Sequence, residues 1–419
     1  MLIILLVFVN YFILSDCKAD DVYPEQIHLS FTNKVNEMMV TWSTMIDTIP
    51  VVEYGQDLKL NKNATGMTTT FVDGGIMKRV QYIHRVKLTA LEPDKAYFYH
   101  CGGPSGWSQI FWFHSQPIKS WSPKFAVYGD LGNANARSMM RLQRETQSGL
   151  YDAVLHVGDI AYDLDSRNGK VGNDFMRQIE AIAAYVPYMT CVGNHEQKYN
   201  FSNYKNRFTM PMYEKTENLW FSWNIGPAHI ISFSTEVIFY QDYGEFLIDE
   251  QFQWLEQDLK EANKNRKNQP WIITIGHRPM YCSGYGLDCH KRETLIRGAF
   301  EDLFYKYGVD LEIYGHEHAY ERMYPVYNNT VYNGSYENPY TNPGAPVHII
   351  TGSPGNRELI TPLKIRKMDW DAFRSRDYGY SRMHVINETH LYFEQVSDNQ
   401  DGKVIDNMMI VKDRHGLYE

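Results

Sequence analysis

The amino-acid sequence predicts two domains, a β-sandwich followed by a larger α/β domain. Short apolar runs separated by turn residues fill the first part of the chain, whereas strand-like runs alternate with helical stretches from Phe125 onward. The chain has 419 residues, more than one hydrophobic core usually holds, and 43% of them are hydrophobic. The sequence is therefore long enough and apolar enough for two cores.

The amino-terminal segment, residues 1–19, has the length and composition of a secretory signal peptide. It contains the apolar run LIILLVFV, and small or polar residues follow before Asp20. We expect this segment to be cleaved, which predicts a secreted or lysosomal protein. A membrane anchor is the alternative, because no basic residue precedes the run and its length approaches the ~17 residues of a short span. No later segment of the sequence predicts a stable membrane span.

Residues 20–118 form the predicted sandwich domain. Five strand-like runs are separated by turn residues: IHLSF, MMVTWST, VVEYG, YIHRVKLTAL and AYFYHCG. No cluster of ligand-type residues lies among them, so a structural or docking role is expected. The segment KSWSPK, residues 119–124, is the predicted linker to the second domain.

Residues 119–419 form the predicted second domain, and residues 340–410 are its C-terminal part. Three stretches have helical periodicity: 136–148, 175–184 and 251–265. Their alternation with strand-like runs is the pattern of βαβ units, which build an α/β domain. The late strands expected near residues 347–351 and 391–396 are predicted to complete one sheet.

Five strand-like runs of this domain end in glycine, and a residue that binds hard metal ions follows each of them. The segments are KFAVYGDLG, AVLHVGDIAY, YMTCVGNHE, WIITIGH and LEIYGHEH. They supply seven candidate metal ligands: Asp130, Asp159, Tyr162, Asn194, His277, His316 and His318. Because an open α/β sheet presents its binding residues at the carboxyl ends of strands, these side chains are expected to meet in one crevice. Such a set could hold about two metal ions, the arrangement that clamps an in-line phosphoryl displacement.

Together these motifs resemble those of the purple acid phosphatases, within the calcineurin-like metallophosphoesterases. All five family blocks match: G-D-x-G, G-D-x-x-Y, G-N-H-E, G-H and G-H-x-H. Tyr162, three residues after Asp159, is particular to the purple acid group. The resemblance spans nearly the whole chain after residue 19 and looks closest to the large two-domain form of plants and some animals. It implies a fibronectin type III-like sandwich followed by an αββα metallophosphoesterase domain.

The resemblance also implies a dinuclear metal centre. It assigns Fe(III) to a set formed by Asp130, Asp159, Tyr162 and His318. It assigns a divalent ion (Fe, Zn or Mn) to a set formed by Asp159, Asn194, His277 and His316. Asp159 belongs to both sets and would bridge the two ions. The donor types agree, because carboxylates and a phenolate suit a trivalent ion whereas imidazoles and an amide suit a divalent one. A metal-bound hydroxide would then be the nucleophile in acid solution.

Other residues near the motifs are candidates for contact with the substrate. His195, in the G-N-H-E motif, is expected to bind the phosphate or protonate the leaving alkoxide, so that His195 and Asp159 are the predicted catalytic residues. The alternative is that His195 only orients a neighbouring ligand. His290 follows the G-H motif in a region where family members contact substrate, and it could equally be a surface residue. Asn356 and Glu358 resemble another family loop at the pocket mouth.

Modification sites agree with passage through the secretory pathway. The chain carries five N-x-S/T sequons, which are predicted glycosylation sites: Asn63, Asn200, Asn328, Asn333 and Asn387. Loss of Cys17 with the signal would leave four cysteines. Cys282 and Cys289 are close enough in sequence to form a disulfide, whereas Cys101 and Cys191 are either buried thiols or a second disulfide.

The sequence therefore predicts a secreted or lysosomal acid phosphatase acting on phosphate monoesters. The formal net charge of −9 argues against a nucleic-acid partner. One alternative is a metallophosphodiesterase of the same superfamily, against which Tyr162 and the sandwich domain argue. Another is a secreted binding protein with an inactive catalytic domain, against which the complete ligand set argues. Redox activity of the iron beside hydrolysis depends on the metal pair, and the sequence leaves the oligomeric state and the natural ester open.

Overall fold

The amino-terminal part of the chain forms two antiparallel sheets packed as a sandwich. The structure, a computed structural model, describes residues 19–118, 121–286, 289, 293–335 and 337–418. After helix α1 (Ala19–Val22) come nine strands: β1 (Glu25–Ser30), β2 (Met38–Thr44), β3 (Val51–Gly55), β4 (Lys62–Thr65), β5 (Met67–Val72), β6 (Val80–Leu88), β7 (Ala96–Gly103), β8 (Gly106–Trp107) and β9 (Phe111–His114). One sheet has the order β1-β2-β6-β5, and the other has β4-β3-β7-β8 with β9 paired to β7. The predicted sandwich is confirmed, and β4, β5, β8 and β9 are strands that the apolar runs did not reveal.

The second part contains six helices and fifteen strands in the described residues. The helices are α2 (Met139–Gln147), α3 (Ser166–Ala183), α4 (Lys198–Arg207), α5 (Tyr213–Thr216), α6 (Phe246–Lys264) and α7 (Glu293–Lys306). The strands are β10 (Lys124–Tyr128), β11 (Ala153–Val157), β12 (Tyr188–Cys191), β13 (Phe221–Ile225), β14 (Ala228–Ser232), β15 (Trp271–Ile275), β16 (Leu311–Tyr314), β17 (Tyr320–Met323), β18 (Val326–Tyr327), β19 (Thr330–Val331), β20 (Val347–Thr351), β21 (Asp371–Ser375), β22 (Gly379–Val385), β23 (His390–Ser397) and β24 (Lys403–Val411). Short 3-10 turns lie at Asn194–Glu196, Glu236–Ile238 and Gln241–Tyr243.

Two mixed sheets organise this second domain. The first has the order β12-β11-β10-β22-β23-β24, and the second has β13-β14-β15-β16-β20-β17-β21. β10, β11 and β12 are parallel in the first sheet, and β14, β15, β16 and β20 are parallel in the second. The expectation that the late strands complete one sheet is wrong, because β20 joins the second sheet and β23 joins the first. β20 is buried along its whole length, whereas β23 alternates buried and half-buried residues, but neither pattern specifies which sheet a strand joins.

The two sheets pack against each other, and helices cover the outside. Ile273 of β15 belongs to the same buried cluster as Val127 of β10, whereas its neighbour Ile272 packs with Leu255 of α6 and Phe300 of α7. This division follows from the strand backbone, which directs successive side chains to opposite faces. The predicted αββα layering is therefore present.

Polar contacts join the sandwich to the second domain. Glu180 of α3 accepts a hydrogen bond from the backbone nitrogen of Ile27 at 3.0 Å, and the Tyr99 hydroxyl donates to the carbonyl of Ala184 at 2.7 Å. Thr209 receives a hydrogen bond from Thr41 of β2 at 2.9 Å. All of these groups are buried or partly buried, so the contacts satisfy polar atoms that would otherwise be costly to remove from water.

Three details refine the predicted elements. α2 begins three residues after the predicted start, α6 begins five residues before it, and α3 extends to Ser166 through a left-handed interruption at residues 167–169. The predicted disulfide between Cys282 and Cys289 is present. Cys101 and Cys191 are buried free thiols, which decides between the two alternatives for that pair.

Some predictions concern residues outside the described ranges. The signal peptide lies there apart from its last residue, and the domain boundary at residue 119 falls at the undescribed pair 119–120. Of the helices in the described ranges, none combines the length and the apolar character needed to cross a membrane.

Glu312 is a buried carboxyl in the middle of the second sheet. Only 1% of its surface is exposed, and the Tyr314 hydroxyl donates a 2.6 Å hydrogen bond to its Oε2. Nδ1 of His348 on the neighbouring strand β20 lies 3.5 Å from the same oxygen. Burial raises the pKa of Glu312 to about 8 and lowers the pKa of His348 to about 3. Both side chains are therefore neutral near pH 6.

We expect Glu312→Gln to remove a pH dependence of stability. Above its ordinary pKa of 4.5, Glu312 ionises in the unfolded chain, but it keeps its proton in the folded protein up to about pH 8. The wild-type free energy of unfolding should therefore fall between these values, by up to about 1.4 kcal/mol per pH unit from this group. Urea denaturation across this range should show the variant gaining on the wild type as pH rises. The exposed control Glu250→Gln should show no such trend, and a constant difference for Glu312→Gln would contradict the prediction.

Candidate metal centre

The five glycine motifs meet where the two sheets of the second domain adjoin. The first sheet contributes the three motifs that follow β10, β11 and β12, and the second sheet contributes those that follow β15 and β16. Hydrogen bonds join the strand ends: Gly129 donates to the carbonyl of Thr351 at 2.8 Å, and Gly315 donates to the carbonyl of His277 at 3.0 Å. The seven candidate ligands predicted from sequence are thus brought together by both sheets.

The motif glycines meet two different requirements. Gly158 has a left-handed backbone, with φ of +84°, so it provides the turn before Asp159. Gly193 has no such conformation, but a Cβ atom there would lie 2.4 Å from both the nitrogen and Oδ1 of Asp159. The chains therefore approach so closely that only glycine fits at that position.

Asp130, Tyr162 and His318 form one group of donors. The Tyr162 hydroxyl donates to Oδ1 of Asp130 at 2.8 Å and lies 2.8 Å from Nε2 of His318. The amide of Asn356 donates to the Tyr162 oxygen at 3.3 Å and to the carbonyl of Asp130 at 3.0 Å. Nδ1 of His318 lies 3.0 Å from the carbonyl of Leu359, which can only accept, so Nε2 is the nitrogen directed at the site.

Asp159, His277, His316 and Asn194 form the second group. Ligand atoms of Asp159, His277 and His316 all lie within 4.8 Å of one another. Nε2 of His277 is 3.1 Å from Oδ2 of Asp159 and 3.2 Å from Oδ1 of Asn194. Its Nδ1 lies 2.9 Å from the carbonyl of Val157, which again leaves Nε2 for the site.

Five residues of the site have left-handed backbones although none of them is glycine. Their φ angles range from +49° to +73°: Asp130, Asp159, Tyr162, His316 and Asn356. Such conformations cost on the order of 1 to 3 kcal/mol each. They persist because close packing and hydrogen bonds fix these segments, and they aim the side chains at one point.

The charge of the site favours a bound cation. Burial opposes protonation of His277 and His318, but the nearby carboxylates outweigh burial and raise their pKa values to about 10 and about 9. The carboxylates involved are chiefly Asp159 for the first and Asp130 for the second. Burial and these same carboxylates raise the pKa of Tyr162 well above its ordinary value. The pocket therefore needs positive charge, which metal ions bound to these oxygen and nitrogen donors would supply.

Glu196 is a positioning residue whose role the sequence did not reveal. Its buried carboxyl oxygens accept hydrogen bonds from the backbone nitrogens of Asp159 at 2.9 Å, Ile160 at 2.8 Å and Gly193 at 3.0 Å. It thereby ties the turn after β11 to the turn after β12. In the sequence, Glu196 is the last residue of the G-N-H-E motif, and its position there is the only indication of this role.

His195 is held at the edge of the site by acidic neighbours. Its Nδ1 is hydrogen-bonded to Oδ1 of Asp163, and Arg357 donates to the other oxygen of Asp163 at 3.0 Å. Its Nε2 lies 3.9 Å from Asp159 and 3.5 Å from Glu358. Burial disfavours the charged imidazole, but the charges of Asp159 and Asp163 raise the pKa of His195 to about 9. Asp163 was not predicted from sequence and resembles the orienting acid of a catalytic triad.

A cavity of about 540 Å³ opens above the donors. Its lining includes Asn194, His195, His316, His318 and Glu358, with Tyr285 and Leu359 at the rim. Glu358 is thus placed where substrate contact was predicted.

Of the other two predicted substrate contacts, one is buried and one falls outside the described residues. Asn356 is fully buried beneath Tyr162 and does not line this cavity, so its observed contacts are with ligand-type residues. His290 lies outside the described residues.

Arg278 is a further buried cation beside the site. Its Nε donates to both oxygens of Glu236, at 3.0 and 3.1 Å, and its Nη1 lies 3.1 Å from Nε2 of His316. The position follows His277 directly, but nothing in the motif indicated this contact. Arg278 and Glu236 therefore support the orientation of His316.

Comparisons with known proteins agree with this architecture. Residues 123–320 match the calcineurin-like phosphoesterase family, residues 24–115 the purple acid phosphatase N-terminal domain, and residues 345–407 the C-terminal region of iron/zinc purple acid phosphatase-like proteins. Acid phosphatase type 7 of Mus musculus is 54% identical over 404 residues, covering 93% of this chain and 91% of that protein. The Homo sapiens protein of the same name is 53% identical over 409 residues, covering 95% and 93%. A purple acid phosphatase from yellow lupin seeds superimposes with a TM-score of 0.79 at 25% identity, over 93% of this chain and 75% of that one.

The two-sheet domain with its donors at the strand ends defines a calcineurin-like phosphoesterase. With the amino-terminal and C-terminal matches, the chain belongs to the purple acid phosphatase family, and it is a phosphatase. The family predicted from the five motifs is thereby confirmed.

We expect Glu196→Ala to disorganise the donor turns. Three buried backbone nitrogens would lose their acceptor, which should lower the free energy of unfolding by about 3 kcal/mol and reduce the metal content of the purified protein. Thermal unfolding and elemental analysis measure the two effects. Glu214→Ala, at an exposed position outside the site, is the matched control. Full metal content in Glu196→Ala would show that the turns hold their geometry without this carboxylate.

Proposed function

We propose that this phosphatase hydrolyses phosphate monoesters in acid solution at a dinuclear Fe(III)–M(II) centre. The two donor groups would hold one ion each. Fe(III) would be held by Asp130, Tyr162 and His318, and the divalent ion (Fe, Zn or Mn) would be held by Asn194, His277 and His316. Asp159 would contribute to both sites. The observation that carries this proposal is the Tyr162 hydroxyl, 2.8 Å from both the Asp130 carboxylate and the His318 imidazole. As a phenolate, Tyr162 would be a hard anionic donor, which suits a trivalent ion better than a divalent one.

The protonation of Tyr162 supports a strongly charged ion. In the polypeptide alone, burial and the charges of Asp130 and Asp159 hold its pKa well above the ordinary value. A cation of high charge would favour the ionised phenol between two carboxylates, and hard anionic oxygen donors suit a trivalent ion. The matched C-terminal family is described as iron/zinc, which is consistent with this pair of metals.

The roles of the two catalytic residues follow from their positions. When bound, the metal pair would supply a hydroxide nucleophile at acid pH and polarise the phosphate ester. Asp159 contributes the shared carboxylate at the junction of the two donor groups, beside His277. His195 presents Nε2 towards the cavity while Asp163 fixes its Nδ1 side, so it can hydrogen-bond the phosphate and give a proton to the leaving oxygen.

The exposure of the sequons and the disulfide also support a secretory destination, which is part of the proposal. Four of the five sequons are exposed, at Asn63, Asn328, Asn333 and Asn387, and Asn200 is partly exposed. The disulfide between Cys282 and Cys289 agrees with an oxidising compartment. Sequencing the amino terminus of the protein from secreting cells, and treating it with N-glycosidase, would test cleavage after residue 19 and the occupancy of the sequons.

The central experiment is a combined analysis of metal and activity in the purified full chain. We expect two metals per chain, one of them iron, a visible absorption band, and faster hydrolysis of an aryl phosphate monoester than of the matched bis-aryl diester at acid pH. A protein without iron would overturn the proposed centre. A preference for the diester would instead identify a metallophosphodiesterase, and a fully loaded but inert protein would support the binding-protein alternative.

We expect Tyr162→Phe to remove the visible absorption and weaken iron retention. The ring still fills its buried position, but the phenolate that would produce the charge-transfer band is gone. Absorption spectroscopy and iron analysis measure these effects, and circular dichroism checks the fold. The buried hydroxyl of Tyr128, which is hydrogen-bonded to the hydroxyl of Tyr188 and to none of the candidate ligands, gives the control Tyr128→Phe. Colour that survives in Tyr162→Phe would show that the phenol is not a ligand.

We expect His195→Ala to keep both metals and the colour but lose about 10²- to 10⁴-fold of its activity toward alkyl phosphates. Aryl phosphates should suffer less, because their leaving groups are stable without a proton. Asp163→Asn should show the same pattern more weakly, since it removes only the charge that orients His195. Equal losses on both substrate classes would indicate phosphate binding in place of proton donation, and loss of metal would indicate that His195 orients a ligand.

A further inference from the structure

A second cavity lies away from the metal centre, at the junction of the two domains. It is a groove of about 650 Å³, a volume in the range of small-molecule binding sites. One wall comes from β2, β5 and β6 of the sandwich, and the other comes from residues 209–215 of the second domain. We refer to it as the junction groove.

Arg85 forms the charged floor of the junction groove. Its side chain is buried, with 5% of its surface exposed, and its guanidinium donates to three neutral oxygens. These are Thr209 Oγ1 at 3.0 Å, Thr69 Oγ1 at 2.6 Å and the carbonyl of Asn206 at 2.7 Å. In the described part of the chain no carboxylate forms a salt bridge with it, and burial lowers its pKa. A buried cation without a counterion favours binding of an anion.

Positively charged side chains outnumber negatively charged ones in the lining of the groove. The lining contains four cations and two carboxylates: Lys34, Arg85, Lys87 and Lys215 against Glu37 and Glu214. Lys34 and Lys87 share the single carboxylate of Glu37, at 3.3 and 4.0 Å. The chain as a whole carries a net charge of −9, so this local positive excess runs against the composition of the protein.

The remaining lining mixes polar side chains with an apolar surface that is rich in methionine. Met39 and Met210 are buried at the base, and Met67, which is 47% exposed, stands at the rim beside Met212. Phe31 completes this surface. Methionine side chains repack around ligands of different shape and are frequent at such binding surfaces. An extended hydrocarbon would be desolvated here, at a gain of about 0.8 kcal/mol for each buried methylene.

We propose that the junction groove binds a single-chain amphiphile with an anionic headgroup, such as a fatty-acid carboxylate. The headgroup lies at Arg85 and the lysines, and the hydrocarbon lies along the methionines. An acidic peptide fits less well, because the part of its backbone that lies along the methionines would leave polar groups without hydrogen bonds.

Isothermal titration calorimetry with the metal-loaded full chain tests this assignment. The probe is dodecanoate below its micellar concentration, and dodecyltrimethylammonium is the control with the same chain and the opposite charge. We expect saturable binding of dodecanoate that weakens as salt is added, and at least about tenfold weaker binding of the cation. Equal binding of the two amphiphiles, or no saturable binding of dodecanoate, would overturn the proposal.

Variants locate the site without relying on the buried arginine. Met67→Trp should fill the groove and weaken dodecanoate binding about tenfold or more. Its control Met140→Trp places the same ring at an 83%-exposed position on α2. Lys87→Glu should weaken binding and flatten its salt dependence, whereas Lys264→Glu on α6 should not. Phosphatase activity and thermal midpoint should stay unchanged in all four variants, which shows that the protein is folded.

The outcomes separate the proposal from its rivals. Undiminished dodecanoate binding in Met67→Trp would place the ligand elsewhere and refute the groove assignment. An acidic peptide that binds more tightly than dodecanoate, and is blocked by Met67→Trp, would identify a protein-docking surface instead. Because dodecanoate binding is measured directly, its result stands whether or not the proposed metal chemistry is correct.

Discussion

The structure depends most on the buried negative charge of Asp130 and Asp159 where the two sheets meet. Both side chains are almost completely buried, and each accepts a backbone hydrogen bond: Asp130 from His316 and Asp159 from His195, both at 2.8 Å. Buried carboxylates are tolerated only when they are paired with positive charge or hydrogen-bonded. The close approach of the strand ends, the left-handed backbones and the orientation of the imidazoles all serve this requirement, and a pair of metal ions would complete it.

The sandwich domain contributes to this arrangement from the other side. Arg207, at the end of α4, is buried and donates to Asn203 at 2.9 Å, to the carbonyl of Gly169 at 3.0 Å and to Gln26 of β1 at 3.3 Å. Arg85 of β6 donates hydrogen bonds to the last turn of α4 and to the segment just after that helix. Since α4 begins directly after the turn containing Asn194 and His195, the contact between the domains steadies the segment that carries these residues. The sandwich is thus part of the framework of the site as well as a separate fold.

Most of the candidate site could be read from the sequence because each motif is local. A strand, a glycine and a polar residue are encoded within about ten neighbouring positions, and the parallel strands bring such endings to one edge. The partners of these residues could not be read, because they come from distant segments. Asp163 orients His195 from 32 positions away, and Arg278 reaches His316 from 38 positions away. The same limit applies to β20 and β23, because the sheet that each strand joins depends on pairing with strands that are distant in sequence.

By itself, the sequence determined the two-domain fold, the family, the seven candidate donor residues and the disulfide. These depend on composition, periodicity and short spacings, which the chain carries without reference to its fold. Only the tertiary structure decided that Asp163 orients His195, that Asn356 lies beneath Tyr162 while Glu358 faces the cavity, and that Arg85 has no acidic partner among the described residues. Such facts depend on contacts between segments that are far apart in sequence. Tertiary packing determines which side chains are buried and which charges meet, and no local sequence pattern encodes this.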